Sequence, residues 1–435
     1  MKSKYAILGL IALGIGVILV LLSSAWVVGW IAAPAMTPTL ARIYCISAAQ
    51  KLRQGNLKGA VADYSRALEL DPKLANAWYG RGIVKENTRD HDGAISDYSH
   101  ALELDPKLTD AWCSRGVAKK ARGDVDGAIA DYNRCLELRP RHAPAYFFRG
   151  AAKQSKGDQE GAIADYSEAI EFDPKLVLAY NNRGLARTKK GQWDEATADF
   201  NRAIELDPKE FRAYANRGLA KWNAQDLDGA MADYNRALEL NPKVAEALDG
   251  LGSMKRIKGD LEGAVADYNR AVELNPQLAG PYAGRGDVEY MNRDWASALS
   301  DFRRYGELSK NSPDYPRMFI WLIRARLGET KEADQELAAY LDRRSPTKTD
   351  EWTATAAGFL LDRVSEADLL AAAKSPDSKK EKGQLLWAWY CAGMKKLLAG
   401  DKASAADDFQ KCLATEERNR ATYGFAQAEL KALGK

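Results

Sequence analysis

The sequence predicts an all-α solenoid of about eight helix-turn-helix repeats, and three observations predict it. Proline recurs at an unbroken 34-residue interval, at Pro72, Pro106, Pro140, Pro174, Pro208, Pro242 and Pro276. The residues before each proline recur with it, as in Ala67-Leu68-Glu69-Leu70-Asp71. Between prolines, apolar and small residues return at helical spacing, and no β or mixed fold gives that period with helical patterning throughout.

Residues 1–40 stand apart from this pattern. No charge occurs between Tyr5 and Ala41, and Ala6 to Ile31 is almost wholly apolar. About 20 helical residues cross a hydrocarbon core, so the run predicts a transmembrane helix. It exceeds the ~7–15 apolar residues of a cleaved signal peptide, which favours an uncleaved signal-anchor. No cysteine follows it in the short context that lipoprotein processing needs. Lys2, Lys4 and the terminal amine flank the run, whereas the far side carries no charge until Arg42. That bias predicts a cytoplasmic N-terminus and repeats on the extracytoplasmic side, periplasmic in a bacterium. Ala12-xxx-Gly16 and Ala25-xxx-Gly29 have the small-xxx-small spacing of helix–helix contacts, the one hint of a homo-oligomer.

Residues 41–311 divide into eight units: 41–74, 75–108, 109–142, 143–176, 177–210, 211–244, 245–278 and 279–311. Each predicts two helices. In the second unit Trp78, Gly82 and Ile83 recur at helical spacing, and Arg89-Asp90 closes the first helix. Gly93-Ala94-Ile95 opens the next, whose Tyr98, Ala101 and Leu102 mark one apolar face. Asp105-Pro106 ends it, because proline disfavours helix in the residue before it. Gly82, Ala94 and Ala101 sit where two backbones approach, and Trp78 and Tyr98 fill the remaining space. Such a pair cannot bury its face alone, so stacked neighbours make one continuous core.

This pattern resembles the tetratricopeptide repeat (TPR) family. The family's large residue, glycine, alanine, aromatic, alanine and proline stand here as Trp112, Gly116, Ala128, Tyr132, Cys135 and Pro140. They recur as Tyr146, Gly150, Ala162, Tyr166, Ala169 and Pro174, then as Tyr180, Gly184, Ala196, Phe200, Ala203 and Pro208. The resemblance implies a right-handed superhelix whose first helices line a concave groove for a peptide or partner protein. The groove positions it implies are Tyr79, Ile83 and Asn87, then Phe147, Phe148 and Ala151, then Asn181, Asn182 and Leu185. Asn216, Leu219, Trp222 and Asn223 follow, then Arg256 and Tyr290. Rings supply buried area at low entropic cost, and amides can bond both edges of an extended peptide. The family's carboxylate-clamp form needs Lys and Asn at set positions, and only Asn181 and Asn216 partly fit. That argues against a chain-terminal carboxylate in the groove.

One departure from the family is regular. The seventh position, usually leucine, is Arg81, Arg115, Arg149, Arg183, Arg217 and Arg285. Lys85, Lys119, Lys153, Arg187 and Lys221 lie four residues on, and the second helices answer with Asp97, Asp131, Asp165, Asp199, Asp233 and Asp301. Each cation has an acidic partner across the hairpin, so a ladder of structural bridges is expected rather than an anionic-ligand site. Unit seven breaks it, with Leu251 facing Asp267.

Residues 312–435 lose the period but remain helical. Met318–Arg326 with Glu332–Leu341 predicts a degenerate pair, and helices follow near Glu351–Val364 and Glu366–Ala373, the second capped at Ser365. Ser375 to Lys380 reads as a linker. Trp389, Gly393, Ala405 and Phe409 then restore a repeat, with Arg418–Leu433 as a covering helix. The region is similar to the C-terminal portion of bacterial envelope repeat proteins.

The remaining composition mainly excludes. The 63 basic and 60 acidic residues leave a net charge of +3, which gives no basic face for nucleic acid. His91, His100 and His142 lack metal-ligand spacing, and no phosphate loop, nucleophile elbow or dinucleotide motif occurs. No enzyme, cofactor or metal is therefore expected. Cys113 with Cys135, and Cys391 with Cys412, fall at similar points of two helix pairs; they read first as small buried residues, and in a periplasmic domain each pair could form a disulfide. Cys45 has no mate. The function expected is a membrane-tethered scaffold holding a peptide or partner protein. Two alternatives stand beside it: an adaptor presenting substrates to an envelope protease or cell-wall hydrolase, and a chaperone-like holder of unfolded chains. The amide content of the groove argues against the last.

Overall fold

The computed structural model describes residues 33–309, 314–343, 351–418 and 420–435. The apolar run from Ala6 to Ile31 lies outside them, and among the described residues no helix is long and apolar enough to cross a membrane. The described residues are helical throughout, with no strand among them. The chain divides into two compact units, Met1–Gln192 and Trp193–Lys435.

Unit one comprises α1 (Ala33–Arg53), α2 (Leu57–Leu70), α3 (Ala75–Asn87), α4 (His91–Leu104), α5 (Thr109–Ala121), α6 (Val125–Leu138), α7 (Ala143–Ser155), α8 (Gln159–Phe172) and α9 (Val177–Lys189). Odd-numbered helices are the first of each hairpin, and each touches the next odd one, so the first helices form one layer. The fit depends on glycine facing an aromatic ring. A Cβ on Gly82 would stand 2.6 Å from Tyr98 Cε1, and one on Gly116 2.7 Å from Tyr132 Cε1. Only a hydrogen there lets the two helices close over the ring. The second helices start earlier than the sequence suggests: α4 begins at His91, not Gly93, because the Asp90 carboxylate accepts the Gly93 N–H at 2.9 Å and caps the helix. The first helix likewise begins at Ala33 rather than Ala41.

Unit two continues the hairpins with α10 (Trp193–Leu206), α11 (Phe211–Asn223), α12 (Leu227–Leu240), α13 (Ala245–Ile257), α14 (Leu261–Leu274), α15 (Ala279–Met291) and α16 (Trp295–Leu308). Beyond them lie α17 (Asp314–Arg326), α18 (Thr330–Asp342), α19 (Glu351–Leu360), α20 (Glu366–Ala372), α21 (Ser378–Leu398), α22 (Lys402–Leu413) and α23 (Ala421–Ala432). Ser365 Oγ accepts the Asp368 N–H at 3.1 Å, the cap expected for α20. The linker expected at Ser375–Lys380 is shorter: Asp377 caps α21 and its first turn starts at Ser378. Within α21–α22 the repeat geometry returns, with Phe409 under Gly393 and Lys396 Nζ 2.6 Å from buried Asp408.

These last helices are not a separate layer. Phe302 stacks on Phe319 with centroids 4.9 Å apart, and Phe425 lies 4.7 Å from the Tyr290 ring. One core thus joins the final repeat to α17, α21 and α23.

Candidate functional site

The basic column is built into the hairpins. Arg81 donates from Nε and Nη2 to Asp97 at 2.8 and 2.9 Å, and Lys85 Nζ reaches the same carboxylate at 2.9 Å. Arg115 with Lys119 holds Asp131, Arg149 with Lys153 holds Asp165, and Arg217 with Lys221 holds Asp233 in the same way. Arg285 holds Asp301 at 2.7 Å through two donors. The third guanidinium edge bonds the preceding hairpin, for example Arg115 Nη1 to Ser99 Oγ at 3.0 Å. Arg81 and Arg115 also lie over the rings of Trp78 and Trp112, each at 4.7 Å. With donors and face engaged, these arginines tie helices together and offer no anion site. In unit seven Leu251 is buried in the arginine's place, and Lys255 meets Asp267 at 2.7 Å.

The first-helix layer of unit one carries the candidate groove. Tyr79 and Phe148, expected as lining residues, come together around a pocket of about 250 Å³ whose floor includes Ser114, Val117 and His142. The Tyr79 hydroxyl is hydrogen-bonded to Ser114, and burial raises its pKa. Phe148 stacks near Tyr132 at 6.1 Å, and Phe147 packs against Phe148 at 5.4 Å and Tyr166 at 5.9 Å. Asn182 is hydrogen-bonded to the Tyr166 hydroxyl. Both phenyl rings are half-buried, leaving ring area for a partner. Asn87 is exposed at the end of α3. Asn181 is buried at 4% exposure, with Nδ2 towards Asn182 Oδ1 at 3.4 Å, so it shapes the wall rather than presenting an amide. Ser114 and Val117 were not singled out by the sequence, and the register of α5 places them there; His142, named there only as a histidine without metal-ligand spacing, enters as the N-cap of α7.

In unit two the expected groove positions meet the chain's own C-terminal helices. Trp222 and Asn223 line a cleft of about 710 Å³ together with Lys379, Glu416, Glu417 and Arg418. The Asn223 amide donates to Leu219 O at 2.8 Å. Asn216, half-buried on α11, lines neither cavity. Arg256 lines a further cavity beside Asp287. Tyr290 cannot serve as a groove contact: it is 1% exposed, covered by α21 and α23, and its hydroxyl accepts from Tyr390 at 2.8 Å. Downstream helices occupy the space over the position that the resemblance implied for the groove.

The cysteine expectation is half corrected. Cys113 and Cys135 form a disulfide that ties α5 to α6, with Cα atoms 5.8 Å apart. His142, which the sequence left without metal-ligand spacing, stands beside this bond. Its Nδ1 accepts the Ala145 N–H at 3.2 Å to cap α7, and lies 3.8 and 3.9 Å from the two sulfurs. Burial, then Arg139, lowers its pKa. The three groups are close enough to hold a metal ion, but the sulfurs are bonded to each other and the ring nitrogen to a helix end. Cys391 and Cys412 remain free and buried, their thiols pushed up by that burial.

Models of the TPR repeat match residues 51–88, 152–191, 184–225 and 252–292, and tetratricopeptide-repeat models match 75–108, 109–142 and 211–244. Together they cover about half of the chain. No curated protein sequence matches. Among solved structures, one titled as MamA protein is 27% identical over 39% of this chain and 92% of its own, with a TM-score of 0.36. A tetratricopeptide repeat protein from Parabacteroides merdae is 17% identical over 57% and 98%, with a TM-score of 0.49. YrrB, titled a TPR protein with an unusual peptide-binding site, is 19% identical over 42% and 95%, with a TM-score of 0.38. The repeat models, set beside the glycine–tyrosine hairpins they fall on, place the chain in the tetratricopeptide repeat family.

Proposed function

We propose that the chain is a membrane-tethered, non-enzymatic scaffold that holds a peptide or partner protein on the first-helix face of unit one. One observation carries the reading: half-buried Tyr79 and Phe148, on α3 and α7, line a pocket of about 250 Å³, and half-buried Phe147 packs beside Phe148. Half-buried rings flanked by amides supply the apolar anchor and the backbone hydrogen bonds that an extended segment needs. The apolar run from Ala6 to Ile31 is the tether, and Lys2 and Lys4 favour an extracytoplasmic array. The Cys113–Cys135 disulfide supports that side, since disulfides persist in oxidising compartments.

The test is in-cell crosslinking and affinity capture of the full-length protein beside Phe147→Ala/Phe148→Ala. A discrete partner lost from the variant supports the groove. Identical captures with both proteins overturn it. A captured protease or cell-wall hydrolase that is lost from the variant makes the scaffold an adaptor.

A further inference from the structure

Unit two holds a cavity of about 490 Å³ that the peptide-binding argument does not use. It lies where α13 and α15 face α19, α21 and the start of α23. Its inner wall is buried: Asp287, Gln384, Trp387 and Thr422 are each no more than 9% exposed. Met318 and Leu386 add apolar surface. Three cations, Arg256, Lys380 and Arg420, line it against a single carboxylate among the described residues, Asp287.

Two features mark it as a built site rather than a packing gap. Asp287 Oδ1 is buried and has no hydrogen-bond partner among the described residues, whereas buried polar groups in proteins are as a rule satisfied. Burial, opposed by Arg256, pushes this carboxyl up to about 7, so near neutrality it can hold a proton that a bound anion lacks. The second feature is Gly383. A Cβ there would stand 2.6 Å from Arg420 Nη2, so glycine lets the guanidinium lie along α21 at the cavity. Glu417 steadies the same guanidinium from outside the cavity, at 3.1 Å.

We propose that this cavity binds a small organic anion, a carboxylate on an apolar ring-sized body. The body sits against Trp387 and Met318, and the carboxylate lies among Arg256, Lys380 and Arg420, with Asp287 donating a hydrogen bond when protonated. The volume falls within the range of small-molecule pockets, ~300–1,000 Å³. The site is separate from the unit-one groove and stands or falls independently of it. A polypeptide's terminal carboxylate carries the same chemistry, and the experiment separates the two.

The measurement is calorimetric titration of the full-length protein in detergent. The probes are N-acetyl-tryptophan, its uncharged amide, 1-naphthoate, inorganic phosphate and a ten-residue peptide ending in tryptophan. The expected result is saturable binding of the two ring carboxylates at one site per chain, with amide and phosphate at least tenfold weaker. Arg420→Ala and Gly383→Ala should each weaken the ring carboxylates about tenfold. Lys402→Ala, exposed and outside the cavity, should not, and circular dichroism melts confirm that each variant is folded. Absence of saturable binding by both ring carboxylates, equal binding of the amide or phosphate, or unchanged binding by a folded Arg420→Ala protein overturns the proposal. A peptide that binds as tightly as N-acetyl-tryptophan overturns the small-molecule assignment.

Discussion

The Tyr390 hydroxyl donates to the Tyr290 hydroxyl at 2.8 Å, deep in a core, across 100 residues of sequence. It fastens the last repeat to α21, and both side chains are at most 1% exposed. Replacing Tyr290 with Phe strands the Tyr390 hydroxyl in apolar surroundings, which costs roughly 1–3 kcal/mol. Replacing both should restore part of that loss, because two apolar rings leave nothing unsatisfied. Urea unfolding followed by tryptophan fluorescence checks this; a double variant no more stable than Tyr290→Phe contradicts it.

Asp131 receives Arg115 and Lys119 at 3% exposure of its side chain. Asp131→Ala leaves two inward cations without their anion, and a loss of about 3 kcal/mol is expected. Glu137→Ala breaks an exposed pair with Arg134 and should change stability by less than about 1 kcal/mol. Thermal and urea melts of the two variants give the comparison. Equal effects would mean that the ladder does not hold the hairpin.

The disulfide can be counted. Of five cysteines, Cys45, Cys391 and Cys412 are free, so thiol titration in denaturant without reductant should give three per chain, and five after reduction. The bond closes a loop with a sequence separation of 22, and the chain-entropy model assigns such a loop about 3 kcal/mol. Reduction should lower the midpoint of unit-one unfolding, and Cys113→Ser/Cys135→Ser should be insensitive to reductant.

Asp287 predicts a pH effect of definite sign. Its folded pKa is raised by burial to about 7, whereas an unfolded aspartate titrates near ~3.9. The folded state therefore binds the proton more tightly. Its contribution to stability is fully present below about pH 4 and is lost as pH rises through about 7. Asp287→Asn removes that contribution. Relative to the parent protein, the variant should gain on the order of 3 kcal/mol between pH 4 and pH 8. Denaturant unfolding at pH 4, 6 and 8 measures it, and a flat difference refutes the assignment.

Much of the fold was legible because the repeat writes its packing locally. Gly82 and Tyr98, or Gly116 and Tyr132, are 16 residues apart, and so are Arg81 and Asp97. A 34-residue period exposes such pairs directly. Of the candidate site, the sequence made legible only the placement of Tyr79, Phe147, Phe148 and Asn182 on first helices, because helical register fixes it. Tyr290 misled for the opposite reason. Its register is that of a groove residue, but its fate is decided by Tyr390 and Phe425, and no short-range pattern records a contact at that separation. The Cys113–Cys135 bond fell between these cases. The two sit on facing helices, but a small residue and a bridged one satisfy the same position, so spacing alone could not distinguish them.

A stacked array can ordinarily gain or lose a module without harm, since each touches only its neighbours. The cavity beside Asp287 removes that freedom at one place. Arg256 and Asp287 belong to successive modules and are read together by α21 and the start of α23. A 34-residue duplication placed between them would slide one out of reach of Arg420, whereas the same duplication after Leu74 would leave all three in register. The chain therefore counts its modules at this end, and length variation among related arrays that keep these helices should be confined to the modules before Arg256.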